Sequence, residues 1–445
     1  MTKSKLVIVA LLCFSTVAVA GELNFPIVKD SLANGLMVIM MEDHSCPTVT
    51  TQAWYRCGSR DERPGITGIS HLFEHMMFKG TDKYPKEKFD HLVYSNGGYN
   101  NAWTSFDNTT YYEVLPPGKE EVAIDLEADR SRHLHINQEN LTSERNVVIN
   151  ERLMRYDNSP FGCLYEQLFN NAFVAHPYRW LPIGFMTDIK QLTLDELLDY
   201  YKVHYAPNNS FMIIAGDIKP KEVMKLVEKY YGPISPETPP PPVTTVEPEQ
   251  RGEKRIYYHK SAQLPAFIAG FKIPAGKSAD FFPLKVAAKV LFDGESSRLY
   301  HRLVYTEQKA LFVQGSADRL NDPGLFYVMA AANPGGDIAE VEGEVWEEID
   351  KLQTEPISEH ELQKAKNQLE SDFIMGLQSN EDRASQVGYF EIDTGDYKNV
   401  YKEADGFQAV TVADVMRVAK DYLTDMGRTV VILVPEEPAQ VKAEM

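Results

Sequence analysis

A proline-rich stretch splits this chain into two near-equal halves, and the halves repeat one unit. Pro233, Pro236, the run 239–242 and Pro248 make residues 233–250 extended and semi-rigid, as suits an interdomain linker. Before it, Leu192-Thr193-Leu194-Asp195-Glu196-Leu197 opens a helix capped by Thr193, and a strand follows at 210–215. Near the end of the chain, Val410-Thr411-Val412-Ala413-Asp414-Val415 opens a helix capped by Thr411, again followed by a strand, at 429–434. One such unit is commonplace. A pair at matching places predicts a duplicated fold, with domains 21–232 and 251–445. Each half also opens with strand-like segments, 48–55 and 265–273, and continues into long amphipathic helices, 122–135 and 359–377. The predicted class is α+β, with helices packed on a mostly antiparallel sheet in each half.

Of the 445 residues, 43% are hydrophobic and 11% aromatic, enough for large cores, which excludes global disorder. The 64 acidic residues outnumber the 45 basic ones, giving a net charge of −19. That balance argues against a nucleic-acid partner, which calls for a basic patch, and favours solubility. Residues 1–20 read as a secretory signal: Lys3 and Lys5, an apolar run from Leu6, then Ala18-Val19-Ala20 before Gly21. No later segment is long and apolar enough to span a bilayer. The expected address is the periplasm. Three cysteines then remain, Cys46, Cys57 and Cys163. They allow at most one disulfide, and the lack of C-x-x-C excludes a thiolate zinc knuckle.

The chemistry is carried by Gly68-Ile69-Ser70-His71-Leu72-Phe73-Glu74-His75-Met76-Met77-Phe78-Lys79-Gly80-Thr81. Nothing breaks a helix over 69–79, and Gly80 lies near its end. On that helix His71 and His75 stand one turn apart on one face, placed to bind a single Zn2+. Glu74 shares their side, positioned to take a proton from a metal-activated water. The apolar flanks bury the helix, and buried histidines beside a carboxylate need partners that a metal supplies. A two-histidine, one-carboxylate site also suits non-haem iron, although Glu74 beside the metal fits hydrolysis better.

Zinc with one position left for water needs a third protein ligand. His44, His91, His133, His135 and Cys57 are all available. A stronger candidate lies in 142–152, read as a helix capped by Thr142 or Ser143, where Glu144, Val148 and Glu151 fall on one face. Two carboxylates there offer a ligand and a supporting acceptor.

These motifs, with Gly58-Ser59-Arg60 and Glu62 upstream and Asn96-Gly97-Gly98, Asn101-Ala102-Trp103-Thr104, His176-Pro177-Tyr178 and Ser296-Ser297-Arg298-Leu299 downstream, resemble the pitrilysin/insulinase family of zinc metallopeptidases. Its mark is H-x-x-E-H. The resemblance covers nearly the whole chain after residue 20 and is strongest to the half-size branch that includes mitochondrial processing peptidase. It implies that His71, His75 and Glu151 bind Zn2+, that Glu74 is the general base, and that Glu144 supports the ligands. It also implies half of a clam-shell chamber that admits unfolded peptides.

The segment 100–105 reads as a short strand, and the resemblance makes it an edge that pairs with substrate, with Asn101, Ala102 and Trp103 as substrate-binding positions. Active relatives carry an Arg and a Tyr seven residues apart in the second half. Counted from Ser297-Arg298-Leu299, those places fall on Tyr305 and Phe312. The resemblance therefore implies a homologous subunit without the zinc motif that supplies the pair in a heterodimer, with a homodimer as the runner-up. A non-catalytic structural or peptide-binding subunit on the same fold is the other class, against which the complete motif speaks.

Overall fold

The computed structural model describes residues 25–436, so residues 1–20, read above as a secretory signal, lie outside the described residues. The first half runs β1 (Ile27–Ser31), β2 (Met37–Glu42), β3 (Val49–Tyr55), α1 (Ile69–Met76), α2 (Lys86–Ser95), β4 (Tyr99–Thr104), β5 (Thr109–Leu115), α3 (Glu120–His133), α4 (Gln138–Arg152), α5 (Pro160–Ala172), α6 (Met186–Gln191), α7 (Leu194–His204), β6 (Ser210–Gly216) and α8 (Pro220–Tyr231). No helix or strand is formed over 235–250. The second half runs β7 (Lys254–Ser261), β8 (Ala266–Lys272), α9 (Phe281–Leu291), β9 (Ala310–Ala317), β10 (Leu325–Ala332), α10 (Ile338–Thr354), α11 (Glu359–Met375), α12 (Asn380–Thr394), α13 (Glu403–Gln408), α14 (Val412–Tyr422) and β11 (Arg428–Glu436).

The duplication is visible in the topology. The sheets are ordered β1-β2-β6-β3-β5-β4 and β7-β11-β8-β10-β9. Without β1 the two orders coincide, and each sheet has one parallel pair, β2 with β6 and β7 with β11, in an otherwise antiparallel ladder. The repeated helix starts form as expected. Thr193 makes a capping box with Glu196, and Thr411 makes one with Asp414. Each satisfies two backbone donors that a helix end otherwise leaves unpaired.

The halves are not two globules on a tether. Helix α5, from the first half, packs on β11, β8 and β7 of the second sheet. Its Leu164, Leu168 and Phe169 share one core with Ala266, Ile268 and Val431. The matching helix of the second half, α12, packs on β3 and β6 of the first sheet. There Ala384, Val387 and Phe390 share a core with Trp54, Phe211 and Ile213. Each half thus lends the other a helix, and neither sheet has a complete core alone.

Polar contacts add to the exchange. Asp322, in the turn between β9 and β10, accepts from Arg60 Nε at 2.6 Å, and His176 Nε2 lies at 3.2 Å. Its N–H donates to the Tyr178 hydroxyl, which donates to Asp107 at 2.7 Å. Arg60 lies in the segment leading into α1, so the second half anchors the approach to that helix.

Candidate active site

Helix α1 begins at Gly68, whose φ of +86° is left-handed. A side chain there would also put its Cβ 2.6 Å from the Ile183 carbonyl oxygen, so glycine is required twice over. With no cap from Gly68, the Glu62 carboxylate accepts from the N–H groups of Gly68 and Ser70, both at 2.9 Å. Leu72, Phe73 and Met76 are buried, which turns His71, Glu74 and His75 towards β4 and α4. The helix stops at Met76, not Lys79, and residues 77–81 turn away, with Gly80 at φ +82°.

Helix α4 also starts elsewhere than expected. Its cap is Asn137, whose side chain accepts from the Asn140 N–H, so Thr142 and Ser143 lie inside the helix. The Thr142 hydroxyl donates to the Gln138 carbonyl one turn back. Sequence favoured the later start because Thr and Ser are good caps, but Asn caps as well and gains a further turn of helix. After Arg152 the chain winds into a π-helix over Leu153–Asp157, and Ser159 caps α5. Val148 is buried, and Glu144 and Glu151 face α1 on the same side.

His71, His75 and Glu151 converge, with one ligand atom from each within 4.8 Å of the others, and they are the only such trio among the described residues. The Nε2 atoms of His71 and His75 lie 3.2 and 3.4 Å from the same oxygen, Glu151 Oε2. The rings stand edge to face at 4.9 Å. Two imidazole nitrogens and one carboxylate oxygen, half-buried and converging on one point, fit a divalent ion of the zinc type with a position left open. The other sequence candidates are elsewhere. His44 bonds Asp217 and Glu42, His133 faces Asp129, and His135 faces Asp82. Cys57 is wholly buried, which pushes its thiol far above the ordinary range.

Electrostatics in the cluster follow from the carboxylates. Burial disfavours a charged His71, but the bonds to Glu151 and Glu74 outweigh it and raise its pKa to about 9. Burial raises Glu144, but His75 and Lys79 overcome this and hold it at about 2. A metal must displace the His71 proton. Apparent metal affinity is therefore expected to fall as pH drops below about 9, with proton release on binding, measured by chelator competition at several pH values. A pH-independent affinity across that range would contradict the ligand assignment.

Glu74 is held by Thr104, whose hydroxyl donates to Oε2 at 2.6 Å, and His71 Nδ1 lies 3.2 Å from the same oxygen. Thr104 closes β4, the edge strand of the first sheet. In the sequence it was only part of a motif, and no spacing signal linked it to Glu74, because the contact crosses from strand to helix. Thr104→Val should keep the metal and lower kcat about tenfold by freeing the carboxylate. An unchanged kcat would show that Glu74 needs no such anchor.

The three proposed substrate positions are not equivalent. Alternation along β4 turns Ala102 to the face bearing Thr104, and Ala102 packs against the core that contains α1. Asn101 is exposed, and its Oδ1 accepts the Ala102 N–H at 2.9 Å. Trp103 turns to the opposite face, against Trp54 and Tyr389 at 5.4 and 6.1 Å. Its ring is core; only its backbone belongs to the edge. In the second half, Tyr305 is 72% exposed, and Phe312 packs on Phe161 of α5 at 5.2 Å. Neither side chain is a cation.

A duplicated α+β chain with two histidines, a glutamate and an adjacent carboxylate beside an open sheet edge has the layout of a metallopeptidase. Residues 37–179 match the model of the insulinase family, peptidase family M16, and residues 191–369 match that of the peptidase M16 inactive domain. The zinc protease PqqE of Helicobacter pylori is 32% identical over 409 residues, covering 91% of this chain and 92% of that one. A probable mitochondrial-processing peptidase subunit beta of Arabidopsis thaliana is 26% identical over 406 residues, covering 89% and 76%. The crystal structure of a protease from Helicobacter pylori superposes with a TM-score of 0.89 at 32% identity, over 93% of this chain and 100% of that one. The chain belongs to the insulinase family, peptidase family M16.

Proposed function

We propose that the chain is a periplasmic zinc-dependent endopeptidase or oligopeptidase that hydrolyses unfolded peptides. The observation that carries this reading is the convergence of His71, His75 and Glu151 with Glu74 held beside them by Thr104. The name zinc protease, borne by relatives over nearly their whole length, supports Zn2+ as the ion. When bound, Zn2+ supplies Lewis acidity that brings the pKa of a coordinated water towards neutrality. Glu74 accepts the proton of the attacking water and passes it to the leaving amine. Both hydrogen bonds to Glu74 fall on Oε2, which leaves Oε1 for the proton. An extended peptide adds to the free edge of β4, and its carbonyl replaces the Asn101 side chain at the Ala102 N–H.

Where active relatives carry an Arg and then a Tyr in the second half, Tyr305 and Phe312 stand, so the cation is missing and the second place has no hydroxyl. Charge that develops on the substrate oxygen then needs a donor from elsewhere. We assign it to a homologous subunit without the zinc motif, the two chains closing one chamber. The designation of a relative as a subunit supports that assignment. The test is cleavage of a mixed peptide library by the chain beginning at Gly21, with and without the homologous subunit and with chelator and added Zn2+. Chelator-sensitive cleavage that needs the second subunit is the expected result. Full activity of the chain alone would remove the need for a heterodimer. Cleavage that survives chelation would overturn the zinc dependence, and no cleavage with either arrangement would overturn the peptidase reading. Recovery of the chain from a periplasmic extract with Gly21 as its first residue tests the address.

A further inference from the structure

Two carboxylates face the histidines from α4, and each has a cation behind it. Glu151 Oε1 pairs with Arg155 at 3.1 Å, where the Arg155 side chain is 64% exposed. A pair so open to water contributes little. Glu144 is different. It is 7% exposed, and its Oε1 pairs with the ammonium of Lys79, itself only 9% exposed. Glu144 Oε2 turns to His75 Nδ1 at 3.6 Å, and Ser143 Oγ donates to Oε1 at 3.0 Å. The chain from ammonium to carboxylate to imidazole ends at a ring whose other nitrogen, Nε2, points into the metal site.

The backbone that carries Lys79 is fixed on both sides. The Lys79 N–H donates to the Met76 carbonyl at 2.9 Å. Gly80 follows in the left-handed region, where a Cβ would meet Lys86 N at 2.4 Å. The Gly80 carbonyl accepts from the His135 N–H at 2.9 Å, and Thr81 bridges to Leu134. A buried lysine held this firmly costs desolvation unless it is paired, and Glu144 is its ion-pair partner.

Resting on the zinc-site reading above, we propose that Lys79 is a positioning residue for the metal: it holds the Glu144 carboxylate facing His75 Nδ1, which keeps the ring proton on Nδ1 and leaves the lone pair of Nε2 free for the cation. A neutral imidazole has one donor and one acceptor nitrogen, so the partner of Nδ1 decides which nitrogen is offered to a cation. Partners behind a ligand histidine of this kind change metal affinity by about 10- to 100-fold when removed.

The test compares Zn2+ affinity, by competition with a chromophoric chelator, and the visible spectrum of the Co2+-loaded protein. The variants are Lys79→Met, Glu144→Gln, the double variant, and Lys83→Met as a surface control. The expected result is a loss of Zn2+ affinity of about 10- to 100-fold in K79M, with an altered Co2+ spectrum, and no change in K83M. E144Q should lose as much, and the double variant no more than E144Q, because both residues act through one contact. If K79M lowers the melting temperature but leaves the affinity and spectrum of the wild type, Lys79 is structural only and the relay is overturned. A double variant that binds Zn2+ more weakly than E144Q also overturns it, even where K79M alone does not fold. Failure of the wild type itself to bind Zn2+ would overturn the zinc-site reading and the relay together. Wild-type binding with unchanged K79M binding overturns the relay alone.

Discussion

Glu74→Gln is expected to abolish peptide hydrolysis while the protein keeps its zinc. The glutamine amide has nearly the volume of the carboxylate, and its oxygen still accepts the Thr104 hydroxyl, which lies at 2.6 Å from Glu74. What it loses is the ability to take a proton. Removal of a positioned general base costs about 10²- to 10⁴-fold in rate, which is about 3–5.5 kcal/mol in the barrier. The ligands His71, His75 and Glu151 are untouched, so metal content should match the wild type. The measurement pairs kcat/KM on a fluorogenic peptide with zinc analysis of the same sample. Equal turnover by the variant would remove Glu74 from the mechanism. Loss of zinc would mean that Glu74 is a ligand and not the base.

The second large effect lies far from the metal in sequence and in chemistry. Gly388 sits in α12, the helix that the second half lends to the first sheet, and a Cβ there would stand 2.2 Å from Trp54 Cζ2. Trp54 has no room to yield. It is fully buried, with Phe211 stacked on it at 5.7 Å and Trp103 and Tyr389 edge-on at 5.4 and 5.2 Å. Gly388→Ala should therefore destabilise the protein by about 1–3 kcal/mol despite alanine's better helix propensity, which alone would stabilise by about 1 kcal/mol. A larger side chain such as leucine should prevent α12 from docking. The readouts are thermal melting and the near-ultraviolet dichroism of the tryptophan cluster. If G388A melts at or above the wild-type temperature, α12 packs less closely on Trp54 than the structure describes.

Much of this protein was legible in advance because its signals are local. H-x-x-E-H places two imidazoles and a carboxylate on one helical face whatever surrounds them. The capped helix followed by a strand, seen twice, exposed the duplication through Thr193 and Thr411. Glu144 and Glu151 shared a face by periodicity, although resemblance was needed to choose Glu151 over the other candidate ligands. The cap of α4 was misplaced because Asn137, Thr142 and Ser143 compete for one role, and local sequence does not say which start packs better.

What escaped the sequence depends on contacts between distant segments. Thr104 on Glu74 joins a strand to a helix, Lys79 on Glu144 joins a turn to another helix, and what the opposite faces holding Ala102 and Trp103 pack against is settled only once β4 lies in its sheet. The exchange of α5 and α12 was hidden most completely, because the proline-rich linker suggested independent halves and an amphipathic helix does not specify which sheet it covers. The sequence alone determined the local inventory: the metal-binding face, the paired helix–strand units and the carboxylates of α4. Tertiary structure decided which carboxylate is cradled by which cation and which sheet each lent helix completes. The reason is that hydrophobic burial is non-directional, so a pattern sets which face of a helix is buried, and only the assembled chain sets against what.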